Sequence, residues 1–402
     1  SFARPKLPLV AAAAAILAGS LFALAKTQPA TSPTTNPAGR GRGRGFARPP
    51  TTGPGMIKDD LTGQYYTPQR HSDYAFGADI SSTFDLEQRG KSFKDFDGTT
   101  KPVLQILKDH GYNWVRLRVC VEPASLPQTT AYTVAAAKAV KAAGMHWLLD
   151  FHYANGWADP RNEPIPRAWA NLSQPELVET VFNYSRDTLA AFAKADALPD
   201  MIQVGNEVSN GFMMPNAKLP EHWDEFAQLV YAGINGIDAG RGNHPRPEIM
   251  VHVDHGGNVD KTRAFFDKLH SYDVPYDVIG FSFYPWSHGT RMDLRDTLAF
   301  TANTYHKDVY VVETGYYYQP HMFVATPGPF PESPEGQAQW LDAVNKTVMD
   351  APDHHGKGVF YWEPAGNAGL AARGYFTPDG TPEPILHAFE PYNRPAHRTD
   401  DQ

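Results

Sequence analysis

Short apolar runs alternate with amphipathic or alanine-rich runs along residues 74–390, and this alternation restricts the possible folds more than any other feature. Apolar runs bounded by turn residues are typical of strands buried on both faces, and the segments between them have helical spacing. Eight strands in strict alternation with eight helices predict a closed (β/α)8 barrel of the α/β class. The predicted strands are 75–80, 114–119, 145–151, 201–206, 248–253, 278–284, 308–312 and 358–362, and the predicted helices are 100–110, 131–143, 174–197, 221–239, 260–271, 292–305, 334–349 and 383–389.

The first 58 residues differ in composition from the rest of the chain. Arg4 and Lys6 precede an apolar run that ends in Ala23-Leu24-Ala25, which predicts a secretory signal peptide over residues 1–25. The run is also nearly long enough for an uncleaved membrane anchor. Residues 26–58, rich in Pro, Gly, Thr and Arg, predict a disordered linker. We therefore predict one catalytic domain at 59–392, a disordered tail at 393–402, and a monomeric protein that is secreted or periplasmic.

The charge of the chain is unevenly distributed. Residues 1–58 carry eight basic and no acidic residues, which leaves 28 basic against 44 acidic residues in the rest, a net charge of −16. An acidic body argues against nucleic acid and polyanionic glycans as partners, and it is compatible with a neutral polysaccharide. The single cysteine, Cys120, excludes an internal disulfide and a cysteine-based zinc site.

Two glutamates each follow an apolar strand run. Residues 201–204 lead into Gly205-Asn206-Glu207, and residues 308–312 lead into Glu313. The carboxyl ends of barrel strands meet at one mouth, so both glutamates are expected to face one pocket. Paired carboxyls of this kind are the catalytic groups of glycoside hydrolases, and a separation of about 5 to 5.5 Å would indicate the retaining mechanism. The alternative is a pair of surface carboxylates.

Further polar and aromatic residues end the other predicted strands or follow them in loops. Such residues are costly for packing unless they face a wet pocket, so we predict that they bind substrate. Aromatic rings offer stacking surfaces to sugars, although core packing is an equal alternative for the loop tryptophans. The predicted substrate-binding residues are Asp79, Arg118, His152, Trp157, Asn206, His252, Tyr284, Trp286 and Trp362.

The chain resembles the secreted endo-β-1,4-galactanases of glycoside hydrolase family 53, which are retaining barrel enzymes. The resemblance covers about residues 74–390 in order. The matching stretches are Gly77-Ala78-Asp79-Ile80-Ser81-Ser82, Tyr112-Asn113-Trp114-Val115-Arg116-Leu117-Arg118-Val119, Leu148-Leu149-Asp150-Phe151-His152-Tyr153, Trp157-Ala158-Asp159-Pro160, Met201-Ile202-Gln203-Val204-Gly205-Asn206-Glu207, Ile279-Gly280-Phe281-Ser282-Phe283-Tyr284-Pro285, Val311-Val312-Glu313-Thr314-Gly315 and Gly358-Val359-Phe360-Tyr361-Trp362-Glu363-Pro364.

The resemblance implies that Glu207 is the acid/base and Glu313 the nucleophile of a retaining endo-glycosidase acting on β-1,4-galactan. Arg118 and Tyr284 are suited to hold Glu313 ionised and oriented, and Asn206 is placed to contact the sugar 2-hydroxyl. Three departures from the family pattern, at Cys120, at Asn155-Gly156 and at Gly366, leave the sugar open. The alternatives are the same mechanism on another neutral β-linked glycan and a carbohydrate-binding barrel without catalysis.

Histidines near the strand ends raise the question of a metal. His152, His252 and His255 with Asp254 could act as ligands, because barrel metallohydrolases gather such residues there. Hydrogen bonding to sugar hydroxyls or to Glu207 is the favoured interpretation. Bacterial members of the resembled family often carry a structural calcium, but residues 314–333 contain a single acid, Glu332. We predict no metal and no cofactor.

Overall fold

The structure, a computed structural model, describes residues 57–58, 63, 65–66, 73–321, 328–366 and 371–393. The predicted signal peptide, the predicted linker before residue 57 and the predicted tail after residue 393 lie outside these residues. Ile57–Lys58, the last two residues of the predicted linker, pair with Tyr65–Tyr66 as a short antiparallel strand pair. Asn393, the first residue of the predicted tail, ends a helix.

Eight parallel strands form a closed barrel, which confirms the predicted α/β fold. Each strand pairs with the next along the chain, and the last pairs with the first, with Trp362 opposite Asp79. The carboxyl ends of all eight strands therefore open at one mouth. The strands are β1 Ala75–Asp79, β2 Trp114–Val119, β3 His146–Phe151, β4 Met201–Val204, β5 Glu248–Val253, β6 Val278–Ser282, β7 Asp308–Thr314 and β8 Gly356–Trp362.

Helices α1 to α8 lie between successive strands, and α9 follows the last strand. They are α1 Thr83–Gln88, α2 Val103–Asp109, α3 Thr130–Ala142, α4 Gln174–Lys194, α5 Trp223–Gly240, α6 Val259–His270, α7 Arg291–Tyr305, α8 Pro334–Met349 and α9 Glu390–Asn393.

Three local features differ from the sequence prediction. The predicted helix at 383–389 is instead a 3-10 turn at Pro384–His387, followed by the one-turn helix α9. Helix α1 was not predicted, because it has only six residues and no side-chain cap at Ser82 to mark its start. A small antiparallel pair between Gly211–Phe212 and Ala217–Lys218 was also missed, because two-residue strands carry no readable alternation.

Two of the long helices, α4 and α8, begin where the sequence supplies caps. Ser173 and Glu176 form a capping box at the start of α4, and the Ser333 hydroxyl accepts from the Gly336 amide at the start of α8. Leu177 and Val181 then recur at helical spacing on the buried face of α4. These caps and apolar faces fix each helix against the sheet.

The barrel interior is layered. Its lower layer is apolar and close-packed: a Cβ on Gly77 would lie 2.3 Å from the Phe360 ring, so only glycine fits there. Two residues further along several strands the interior becomes polar and buried. The apolar layer comprises Ala75, Leu148, Met201, Met250, Val278, Tyr310, Val312 and Phe360, and the polar layer Asp79, Arg116, Asp150, Gln203 and Glu313. The polar layer forms the floor of the mouth.

Among the described residues, no helix combines the length and the apolar character needed to cross a bilayer.

Candidate active site

A cleft of about 310 Å³ lies at the carboxyl ends of the strands. Nine of the eleven predicted site residues line it, including both glutamates, whereas Asp79 and His252 lie beneath its surface. A larger groove of about 640 Å³ between α4 and α5 contains none of the predicted site residues. The residues that line the cleft are Arg118, His152, Trp157, Ala158, Asp159, Asn206, Glu207, Tyr284, Trp286, Ser287, Glu313, Trp362 and Arg373.

Arg116 is the centre of the polar layer. Its Nη1 donates to Glu313 Oε1 at 2.7 Å and to Asp79 Oδ2 at 2.8 Å. Its Nη2 donates to Asp150 Oδ2 at 2.9 Å and to Asn206 Oδ1 at 2.7 Å. Burial acts against the charge of this guanidinium, but the three surrounding carboxylates raise the pKa of Arg116 above its ordinary value. Arg116 is therefore a permanent cation that orients both Glu313 and Asn206.

The two glutamates have different environments. Burial raises the pKa of Glu313, and the adjacent Arg116 opposes this rise. Burial and then the charge of Glu313 raise the pKa of Glu207 well above its usual range. The Tyr284 hydroxyl also donates to Glu313 Oε2 at 3.3 Å, which favours the ionised form. Both pKa values are raised, that of Glu207 more strongly, so Glu207 holds a proton more tightly than Glu313 does, a difference that suits an acid paired with a nucleophile.

Glu207 is held by backbone geometry and by a short hydrogen-bonded chain. It has a φ of +48°, a conformation that non-glycine residues rarely adopt and that is common at functional sites. The Glu207 amide donates to His252 Nδ1 at 3.4 Å, and His252 Nε2 lies 2.9 Å from the Ser282 hydroxyl. Burial keeps the pKa of His252 well below its ordinary value, so this ring is neutral and donates through Nε2. Ser282 in turn hydrogen-bonds the Glu207 carboxyl.

Asn206 is fixed with one N–H available to the cleft. Its Oδ1 accepts from Arg116 and, at 3.1 Å, from Gln203 Nε2, and its Nδ2 donates to the Ala158 carbonyl at 2.8 Å. An amide nitrogen has two hydrogens, so the second can reach a sugar hydroxyl. His152 is equally fixed, since its Nε2 lies 2.9 Å from an Asp150 oxygen.

Arg118 makes no direct hydrogen bond to Glu313, although its charge favours the ionised form of that glutamate, as the sequence analysis expected. Its guanidinium pairs with Glu363 and lies 4.3 Å from the Trp157 ring centroid. Both arginines of β2 point into the barrel, because residues two apart share a face of a strand. Arg116, one layer deeper, is the one that reaches Glu313.

Aromatic residues form the upper wall of the cleft together with a cation that the sequence analysis missed. The Arg373 guanidinium lies 5.3 Å from the Trp362 ring, 5.4 Å from Tyr284, 5.5 Å from Tyr317 and 5.8 Å from Trp286. Its Nε has no hydrogen-bond partner within the described part of the chain. Arg373 comes from an irregular segment after β8, where no sequence periodicity marks a side chain as facing the cleft.

The histidines considered as metal ligands have separate partners. His152 bonds Asp150, His252 bonds Ser282, and His255 Nε2 lies 3.2 Å from Asp254. These contacts fit the interpretation that the histidines orient other groups of the site.

Comparisons with known proteins agree with this geometry. The model of the family described as glycosyl hydrolase family 53 matches residues 75–379. An arabinogalactan endo-β-1,4-galactanase of Humicola insolens is 33% identical over 329 residues, which are 78% of this chain and 98% of that protein. An uncharacterized protein of Niallia circulans is 39% identical over 310 residues, 73% of this chain and 84% of its own length. The solved family 53 catalytic domain of Ignisphaera aggregans superposes with a TM-score of 0.75 at 31% identity, covering 81% of this chain and 99% of that domain.

Proposed function

Because the chain belongs to glycosyl hydrolase family 53 and is a glycoside hydrolase, we propose that it cleaves internal β-1,4 linkages of galactan with retention of configuration. One observation carries the proposal: Glu207 and Glu313 share one cleft, and only Glu313 is bonded to the buried Arg116. The Humicola insolens relative is an arabinogalactan endo-β-1,4-galactanase, which supports galactan as the substrate.

The first step forms a covalent intermediate. A Glu313 oxygen attacks the anomeric carbon, the bond to the leaving sugar breaks, and Glu207 transfers its proton to the departing oxygen. Arg116 donates to Glu313 Oε1 and Tyr284 donates to Glu313 Oε2, and both bonds favour the ionised form that the attack requires. The free N–H of Asn206 is suited to the sugar 2-hydroxyl, a contact that strengthens as the oxocarbenium-like transition state forms.

The second step releases the sugar. Glu207, now a carboxylate, removes a proton from water, and the hydroxide oxygen attacks the same anomeric carbon. The ester bond to Glu313 breaks, which restores one carboxylate and one carboxylic acid. The Ser282 hydrogen bond stabilises the Glu207 carboxylate that the first step leaves behind.

The cleft walls suit a neutral glycan. Trp157, Trp286 and Trp362 lie around the glutamates and offer apolar faces to sugar rings. Trp157 is 38% exposed, which is unusual for so large an apolar side chain unless it contacts a ligand.

The proposal includes export from the cytoplasm. Its support is the N-terminal sequence, in which Arg4 and Lys6 precede an apolar run and Ala23-Leu24-Ala25. A fusion of residues 1–25 to a reporter enzyme should deliver the reporter outside the cytoplasm, and retention of the reporter inside would contradict this part.

Product analysis on a panel of polysaccharides tests the substrate. The purified chain should release oligosaccharides from β-1,4-galactan, and proton NMR should show that the first product is the β-anomer. Glu313→Ala should abolish turnover and keep oligosaccharide binding, because the aromatic walls stay intact. If galactan stays uncut while a mannan or another neutral β-glycan is cleaved, the proposed substrate is wrong and the proposed mechanism still stands. An α-anomer as first product would contradict retention.

A further inference from the structure

A cluster of two histidines and a glutamate lies far from the cleft. His110 caps the end of α2, where the chain turns towards the amino end of β2, so the cluster lies at the opposite end of the barrel. His387 ends a 3-10 turn, and Glu390 begins α9. His110 and Glu390 are 280 residues apart in sequence, which is why no sequence spacing indicated the cluster.

The ligand atoms of these three side chains converge. His110 Nδ1 lies 2.5 Å and His387 Nδ1 lies 2.6 Å from the same atom, Glu390 Oε1. Among the described residues, His110, His387 and Glu390 form the one group of three or more His, Cys, Asp or Glu side chains whose ligand atoms all lie within 4.8 Å of one another.

Hydrogen bonding alone does not account for this arrangement with neutral rings. His110 Nε2 also lies 2.8 Å from Asp95 Oδ1, so both nitrogens of one imidazole face carboxylate oxygens. A neutral imidazole has one N–H and can donate to only one of them. Either a second proton on the ring or a metal cation bound at Nδ1 resolves the conflict, and with the metal Nδ1 offers its lone pair while Nε2 donates to Asp95.

The surroundings are those of a metal ligand set. A ligating histidine typically donates its other N–H to a carboxylate, and Asp95 occupies that position, 8% exposed. Asp95 is itself fixed by the Lys101 ammonium at 2.6 Å and by the Phe96 amide at 2.7 Å. The Phe96 ring stacks on His387 with centroids 4.1 Å apart, which orients the more exposed histidine.

We propose that His110, His387 and Glu390 form a structural site for a first-row divalent cation, best suited to Zn²⁺. Two imidazole nitrogens and one carboxylate are zinc ligands, and water completes the tetrahedron. The ion would tie the C-terminal segment that carries His387 and Glu390 to α2, and so hold the end of the chain against the barrel. It takes no part in the chemistry of the cleft.

Zinc titration of the untagged full chain tests the proposal. After dialysis against EDTA, calorimetric titration with ZnCl₂ should show one site that is lost in both His387→Ala and Glu390→Ala. Both side chains are partly exposed, so these variants should fold. Zinc at about one hundred times Kd should raise the Tm of the wild-type chain by about 2 to 4 °C and leave the Tm of either variant unchanged.

His146→Ala is the matched control. His146 Nδ1 lies 3.0 Å from Asp200 at the same end of the barrel, but among the residues that the structure describes no second histidine joins that pair. This variant should keep the wild-type zinc response. Absence of a zinc site in the wild-type chain would overturn the proposal, as would equal zinc binding by the wild-type chain, His387→Ala and Glu390→Ala.

Discussion

Arg116 and Glu313 are joined inside the barrel by a hydrogen bond of 2.7 Å between Nη1 and Oε1. The arginine side chain is fully buried and the glutamate reaches the cleft, so the bond links the floor of the site to its reactive surface. Arg116 works against the rise in the pKa of Glu313 that burial causes. The same guanidinium holds Asn206, so one residue favours the charged form of Glu313, the proposed nucleophile, and orients Asn206, the proposed sugar contact.

Arg116→Lys should move the acidic limb of the kcat/KM profile to higher pH. Lysine keeps a charge but loses the planar fork, so the pKa of Glu313 rises and the nucleophile becomes protonated sooner as pH falls. kcat should fall about tenfold or more, since each 1.4 kcal/mol of lost stabilisation is a factor of ten. A pH–rate series on soluble galactan measures both effects.

Arg118→Lys is the matched control for that variant, being the same change two residues along on the same face of β2. Arg118 contacts Glu363 and Trp157, not Glu313. In Arg118→Lys the acidic limb of the kcat/KM profile should stay in place while KM rises. An equal displacement of the limb in both variants would contradict the assigned role of Arg116.

Ser282→Ala should move the alkaline limb to higher pH. The Ser282 hydrogen bond lowers the pKa of Glu207, so its removal raises that pKa and keeps the acid protonated further into the alkaline range. The first step should slow about tenfold, because Glu207 gives up its proton less readily and His252 loses its partner. Stopped-flow kinetics with an activated aryl galactoside separates the two steps. An alkaline limb of the pH–rate profile that stays in place or moves to lower pH would contradict the role assigned to the Ser282 hydrogen bond.

The sequence predicted the barrel, both glutamates and most of the cleft for a specific physical reason. Buried strands are readable as apolar runs, and a polar residue that ends such a run is conspicuous. The errors occurred where that contrast is absent. Arg116 and Arg118 lie two residues apart in β2, so both side chains face the barrel interior. Only the offset of neighbouring strands along the barrel axis decides which of the two reaches Glu313. Ser282 is a small residue within an apolar run, and it became recognisable only once β5 and β6 were paired.

Loop residues were the other class that could not be predicted. Arg373 lies in an irregular segment, and its place among four aromatic rings depends on where that segment crosses the mouth. The partnership of Glu363 with Arg118 is equally non-local, since the two residues are 245 positions apart.

Glu363→Gln should stabilise the chain relative to the wild type as pH rises. Burial, opposed by Arg118, raises the pKa of Glu363 to about 7. A carboxyl with a raised folded-state pKa binds more protons folded than unfolded, so stability is lost between about pH 4.5 and pH 7. The Tm difference between the variant and the wild type should therefore grow in favour of the variant across that window. A Tm difference between Glu363→Gln and the wild type that does not change with pH would contradict the raised pKa assigned to Glu363.

Arg373→Ala should weaken substrate binding without removing catalysis. The guanidinium holds the Trp286 and Trp362 rings in place and offers hydrogen-bond donors to the cleft. Cation–π contacts contribute about 0.5 to 2 kcal/mol, so KM should rise by roughly two- to thirty-fold. Arg373→Lys should recover part of this loss. A variant with unchanged KM and a strongly reduced kcat would instead place Arg373 in the chemical step.

Mass spectrometry of a trapped intermediate tests the central claim, that Glu313 is the nucleophile, most directly. A 2-deoxy-2-fluoro-galactobiosyl fluoride should inactivate the enzyme by slowing the second step more than the first, and digestion should then yield one labelled peptide. The account predicts the label on Glu313, with no labelling of Glu313→Ala. A label on another residue, or steady turnover with no covalent adduct, would contradict it.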